Sequence, residues 1–214
     1  MKCVVLLGFS TTGKSSILRC FREQYGDALE TLDSDEWLAR NNDRHVYNFY
    51  RAHREGNSTK RANDLIAEQE REFLRTTTPG TKPMLLAAGP FLPSRAPEWD
   101  AFRARLSPVC LYLEKEPEYV LCGLLERHYR HRQDPQLADD PGFGCWDQGS
   151  ITELQGGRWV LLPWDRALAN TRGNMAGVIP RYQQAASGTF SWRDRSTQAG
   201  RDRLNLTIQA ALGM

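Results

Sequence analysis

The chain has 214 residues, a quarter of them charged, with a formal net charge of +2; that length holds one α/β domain over 1–214 with a substantial core and leaves little room for a second. The near-balanced charge supplies no global field toward nucleic acid or a membrane surface. Five dispersed cysteines, Cys3, Cys20, Cys110, Cys122 and Cys145, suit reduced thiols better than a disulfide framework.

The first element is the apolar run Cys3-Val4-Val5-Leu6-Leu7, short and partly β-branched, as expected of a strand buried on both faces of a parallel sheet. Gly8-Phe9-Ser10-Thr11-Thr12-Gly13-Lys14-Ser15 follows, and Ser15 to Tyr25 then carries Ile17, Leu18 and Phe21 at helical spacing. A second short strand is expected at Leu29 to Leu32, ending at Asp33-Ser34-Asp35, with both carboxylates alternating along an extended segment. Residues 36–75 read as largely helical, with a break near Gly56-Asn57-Ser58. Pro83 to Gly89 and Pro108 to Leu113 read as buried strands, and Glu118 to about Arg130 as helix. From Gln133 to Gly157 the chain becomes rich in Asp, Gly, Pro and Gln, and a connection of that length predicts a lid, a binding loop or disorder; the lid is carried forward, bounded at 127–158. Arg158 to Leu162 is expected to form a further strand and Leu204 to Leu212 a closing helix. Strands alternating with helices indicate a parallel, doubly wound sheet.

The chemistry starts at the glycine-rich turn. Its pattern is Walker A, and its placement between strand and helix points consecutive backbone N–H groups and the positive end of a helix dipole at one small volume. Phosphate is the natural occupant. Gly8, Ser10, Thr11, Thr12, Gly13, Lys14, Ser15 and Ser16 form the expected nucleotide-binding set, with Lys14 on the β- and γ-phosphates and the Ser15 hydroxyl on Mg²⁺. Asp33 and Asp35, at the carboxyl end of a strand, are the candidates for holding Mg²⁺ and for receiving or gripping an acceptor hydroxyl; the alternative role for either is to cap the helix expected from Glu36.

These motifs resemble the shikimate-kinase-like group of P-loop kinases. The loop Gly8 to Ser16 is similar to that family's loop, and Leu32-Asp33-Ser34-Asp35 stands where the family has an Asp-x-Asp motif, whose first member helps with Mg²⁺ and whose second contacts the acceptor hydroxyl. Ala87-Ala88-Gly89-Pro90 takes the place of the family's glycine-rich acceptor turn. Pro180-Arg181-Tyr182 resembles its Arg-x-x-Tyr-type segment, where the arginine binds an acceptor carboxylate. The resemblance implies a three-layer P-loop kinase fold, a parallel sheet flanked by helices with a lid insertion, and an acceptor-binding helical region at 36–75. It also implies a lid arginine, for which Arg127, Arg130 and Arg132 compete. An acceptor arginine after the Asp-x-Asp segment has Arg54, Lys60, Arg61 and Arg71 as competitors, of which Arg61 is carried forward. Ala87-Ala88-Gly89 departs from a triple glycine, and the stretch between Arg127 and Arg181 exceeds the family's lid, so the scaffold is implied more strongly than shikimate itself. Zeta-toxin-like and antibiotic-modifying kinases share the opening motifs.

The expectation is therefore an ATP- and Mg²⁺-dependent phosphotransferase acting on a hydroxyl of a small polar molecule, cytoplasmic, a monomer or weak dimer without nucleic-acid or membrane partners. No apolar run reaches membrane-spanning length, and the apolar start leads into the phosphate loop rather than a cleavage site. A nucleotide-dependent switch or a degenerate kinase serving as an interaction module are the rivals. The segments ending at Ala88 and Leu113 lack the terminal Asp of a Walker B strand, although Glu114 follows the second. His128 and His131 with Cys122 and Cys145 match no compact zinc spacing. Arg193, Arg195, Arg201 and Arg203 around Trp192 are read as a solvated surface, diluted by Asp194 and Asp202.

Overall fold

Val4, Val5, Leu6 and Leu7 are fully buried, and the strand that holds them, β1 (Cys3–Leu7), is the middle of the sheet. The computed structural model describes residues 2–41, 59–78, 80–133, 150–155 and 158–214. Around β1 stand β2 (Glu30–Asp33), β3 (Met84–Ala87), β4 (Val109–Leu113) and β7 (Gly188–Phe190), in the order β2-β3-β1-β4-β7. All four pairings are parallel, with Val4 opposite Leu85 on one side and Val109 on the other.

Because side chains alternate across a strand, β1 serves two cores. Cys3, Val5 and Leu7 pack with Phe73, Leu86, Phe102, Tyr112, Leu121 and Tyr182. Val4 and Leu6 pack on the other face with Leu18, Phe21, Leu111, Leu204, Ile208 and Leu212. The second face is covered by α1 (Lys14–Tyr25) and α8 (Gln198–Leu212). The first is covered by α3 (Thr59–Thr76), α4 (Glu98–Leu106), α5 (Pro117–Gln133) and α6 (Trp164–Ala185). Two shorter helices also occur among the described residues, α2 (Ser34–Asn41) after β2 and α7 (Trp192–Ser196) after β7. Each fully buried Leu or Phe here contributes on the order of 2 kcal/mol. The resulting sandwich fixes the strand ends.

Several expectations change in detail. The second strand runs one residue further than expected, through Asp33, and α2 starts at Ser34 rather than Glu36. Asp35 is thus in a helical first turn, not on an extended segment. Of the stretch 36–75, the described residues lie in α2 and α3, and the expected break at 56–58 lies outside the described residues. Arg158 to Leu162 does contain a strand, β6 (Arg158–Leu161), but it pairs antiparallel with β5 (Thr152–Gln155) in a separate two-stranded sheet. The place at the main sheet's edge belongs instead to β7. Residues 134–149, most of the expected lid, lie outside the described residues. Among the described residues no helix is long and apolar enough to cross a membrane.

Since every strand of the main sheet points the same way, the residues following Leu7, Asp33, Ala87, Leu113 and Phe190 meet at its carboxyl end. Open parallel sheets place ligands along that end.

Candidate active site

The loop after β1 is shaped by backbone requirements. Gly8 sits at φ +154, where an added Cβ would lie 2.8 Å from Thr12 Oγ1 and 2.9 Å from the Leu113 carbonyl. Thr11 and Gly13 take left-handed conformations, at φ 63 and 93. Thr12 is buried and its hydroxyl donates to the Phe9 carbonyl at 2.9 Å. Gly13 is the N-cap of α1 and accepts from Ile17 N at 3.0 Å. No acidic residue occupies the helix's first turn, so the positive helix end faces the loop unopposed from within its own helix. Left-handed residues spaced in this way turn successive N–H groups inward and carbonyls outward, the geometry of an anion-binding nest. Lys14 Nζ lies across the loop, donating to the Gly8 carbonyl at 2.7 Å and the Phe9 carbonyl at 3.0 Å. Ser10 is half-buried, and Ser15 and Ser16 are exposed on the first turn of α1.

The loop is tied directly to the next strand end. Ser15 Oγ donates to Asp33 Oδ2 at 2.7 Å, while Asp33 Oδ1 accepts from Asp35 N at 2.9 Å. Asp33 is only 5% exposed, and it both caps α2 and faces the phosphate loop. Among the described residues no cluster of three or more His, Cys, Asp or Glu could hold a metal ion. A hydroxyl and one carboxylate are nonetheless the oxygen donor set of Mg²⁺, which keeps several waters and takes few protein ligands.

Asp35 lies beside the end of β3. Ser34, fully buried, accepts from Gly89 N at 2.7 Å, and a Cβ on Gly89 would meet Ser34 Oγ at 3.1 Å and Asp35 Oδ1 at 3.2 Å. The single glycine of Ala87-Ala88-Gly89 stands where close approach is needed. Below it is a group that the sequence reading missed. Glu70 of α3 is 4% exposed and accepts from Arg95 Nε at 2.6 Å. Burial pushes its carboxyl up to about 7 and the Asp35 charge adds to the rise, although Arg95 pulls the other way. The Tyr182 hydroxyl of α6 donates to the Pro90 carbonyl and closes the far side of this turn. Glu70 gave no sequence signal because it sits in the polar run Ala67-Glu68-Gln69-Glu70-Arg71, where nothing separates a buried carboxylate from solvated ones.

The remaining expected residues are more scattered. Arg181 is exposed on α6, one position before buried Tyr182. Arg127 and Arg130 are exposed on α5. Arg130 pairs with Glu126 one turn back, whereas the charge of Arg127 is felt at Lys115, which donates to the phosphate-loop carbonyl of Thr11 at 2.9 Å. The side chains of Arg132 and Arg61, and all of Arg54, lie outside the described residues; Arg71 pairs with Glu98 at 3.9 Å. One reading is corrected: Arg195 is not part of a solvated basic surface. It is 7% exposed, drawn inside by three main-chain carbonyls, one of them in the phosphate loop.

No protein-family model matches the chain, and no curated protein sequence does. Solved structures do. A shikimate kinase from Acinetobacter baumannii in complex with shikimate is similar at a TM-score of 0.63 and 21% identity, over 100% of this chain and 94% of that one. A shikimate kinase from Bacteroides thetaiotaomicron matches at a TM-score of 0.64 and 15% identity, covering 100% and 99% of the two chains. A third, from Aquifex aeolicus, matches at 0.56 and 14% identity, with 99% of each chain covered. At these identities the likeness is one of fold: the chain has the shikimate-kinase-like P-loop kinase fold, a parallel five-stranded sheet flanked by helices.

Proposed function

We propose that the protein is an ATP-dependent phosphotransferase that moves the γ-phosphate to a hydroxyl of a small polar molecule. The observation that carries this reading is the 2.7 Å bond between Ser15 and Asp33, which joins the phosphate loop to the strand end bearing Asp35. Donor and acceptor groups are adjacent there, as transfer between two bound molecules requires.

In this reading the amides of Gly8 to Ser15 and the Lys14 ammonium hold the β- and γ-phosphates, and Ser15 and Asp33 hold Mg²⁺. Bound MgATP supplies the phosphoryl group, with the metal offsetting charge on its oxygens. Asp35 receives the acceptor hydroxyl proton, or orients that hydroxyl, from the first turn of α2. Gly89 lets the acceptor approach the β3 turn, and Asp33, fixed by Ser15 and by Asp35 N, keeps the two aspartates in register. Arg61 and Arg181 are the candidates for an anionic group on the acceptor. An arginine among Arg127, Arg130 and Arg132 meets the negative charge that spreads over the migrating group; Arg130 is engaged by Glu126, and Arg127 is the candidate to test first.

The test is ATP consumption with and without a panel of hydroxylated metabolites. ADP release that depends on one class of acceptor is expected. Hydrolysis at the same rate without any acceptor would instead make the protein an NTPase.

A further inference from the structure

Behind the phosphate loop, beside the ends of β4 and β7, stands a pair of buried cations, Lys115 and Arg195, that take no step in the transfer proposed above. Arg195 of α7 donates from Nη1 to the Thr12 carbonyl at 2.8 Å, from Nη2 to the Glu114 carbonyl at 2.8 Å and from Nε to the Phe190 carbonyl at 3.2 Å. It therefore bolts the loop to the ends of β4 and β7 at once. Lys115, 8% exposed, donates to the neighbouring Thr11 carbonyl at 2.9 Å. The Trp192 ring serves both cations, with Lys115 Nζ 4.5 Å and the Arg195 guanidinium carbon 5.5 Å from its centroid. From the α5 side Thr11 is pressed against Gly123, where a Cβ would come within 2.7 Å of the Thr11 Cβ.

We propose that Lys115 and Arg195 are positioning residues for the phosphate loop, two buried cations that fix its outward carbonyls so that its inward N–H groups are aimed at the nucleotide's phosphates. Each carbonyl they hold belongs to the same peptide unit as the following N–H, Thr11 to Thr12 and Thr12 to Gly13. A cation on the oxygen polarises that unit and strengthens the N–H as a donor, an effect favoured where water is excluded. It also stops the peptide from rotating, which matters because Thr11 and Gly13 are in left-handed conformations that one peptide flip would abolish. Two like charges so close are costly. Burial and the Arg195 charge both lower the Lys115 pKa, and burial brings Arg195 down to about 10, still charged at neutral pH. The carbonyl dipoles and the indole face offset that cost.

The inference rests on Gly8 to Ser15 being a nucleotide phosphate loop, and one set of measurements separates the two ideas. Full-length wild type, Arg195→Lys and Lys115→Met are titrated calorimetrically with MgADP and with inorganic tripolyphosphate, and their melting temperatures are recorded. Arg195→Lys keeps the charge but loses the three-way fork; Lys115→Met keeps the apolar stem and loses the charge. Wild type is expected to bind both probes, and each variant to bind both about tenfold more weakly, the worth of one charge-assisted bond. A merely structural role would lower the melting temperature while the folded protein bound with wild-type affinity, and that result overturns the positioning role. If Arg195→Lys does not fold, unchanged affinities in Lys115→Met suffice to overturn it. Failure of wild type to bind either probe would overturn the phosphate-loop reading itself.

Discussion

The phosphate loop and the cluster around Asp35 lie at the same end of the sheet and touch through Ser15 and Asp33, yet they are built in opposite ways. The loop is one contiguous segment whose shape is set by backbone: a crowded Gly8, left-handed Thr11 and Gly13, a helix starting at Lys14. The Asp35 cluster is assembled from α2, α3, the turn after β3 and α6, through side chains at Glu70, Arg95 and Tyr182. Anion binding by main-chain N–H groups needs a fixed local conformation and so a fixed local sequence. Recognition of a particular acceptor needs only that some polar side chains converge, and many sequences can supply them. A loop of this kind can therefore be read from one sequence, whereas an acceptor side built from converging side chains cannot.

If the two regions divide the work in this way, substitutions should separate binding from transfer. The largest effect is expected for Lys14→Ala, which should abolish turnover and weaken ADP binding about a hundredfold, the worth of two charge-assisted hydrogen bonds; calorimetric titration checks it. Asp35→Asn should leave the ADP affinity within about twofold of wild type while transfer falls by roughly 10²–10⁴, the range for loss of an acid–base group. Full activity in Asp35→Asn would break the division. Next comes Glu70. Its folded pKa, about 7, stands above the ordinary 4.5, so the folded state holds the proton more tightly than the unfolded one. This group's contribution is then fully favourable below about pH 4.5 and is lost as pH rises toward 7, by on the order of 3 kcal/mol. Urea midpoints of Glu70→Gln should accordingly fall less steeply than wild type between pH 5 and 7; parallel profiles would show that Glu70 is not held protonated. The smallest stability effect is assigned to Arg130→Ala, whose exposed pair with Glu126 is worth within about 0.5 kcal/mol. Turnover should fall for Arg127→Ala and hold for Arg130→Ala, and the reverse would move the lid role to Arg130.

The same contrast explains what could be read in the chain. β1, the phosphate loop, Asp33-Ser34-Asp35 and the parallel order of elements were legible because each has a local signature: an apolar run, a glycine pattern, carboxylates at a strand end. β7 was not, since a three-residue strand of sequence Gly-Thr-Phe has no apolar run to announce it. Nor was α6, whose Gly173, Gly177 and Pro180 read as breakers although Leu168, Thr171, Met175, Val178 and Tyr182 form a buried stripe. Asp35 changed from strand to helix because Asp33 caps α2, which starts at Ser34, two residues earlier than expected. Arg195 was hidden among Arg193, Arg201 and Arg203, of similar charge but exposed; only the fold brings three carbonyls to it. Glu70 and Arg95 are partners 25 positions apart, and no periodicity encodes such a pair.

In the proposed reaction phosphate leaves the loop for a hydroxyl held near Asp35. Phosphorus NMR of ATP and Mg²⁺ with the protein and a pool of hydroxylated metabolites tests it most directly, because the product itself is seen. A new phosphomonoester resonance is expected to grow in step with ADP in wild type and to be absent with Asp35→Asn. Growth of inorganic phosphate alone, at a rate indifferent to the metabolites, would contradict it.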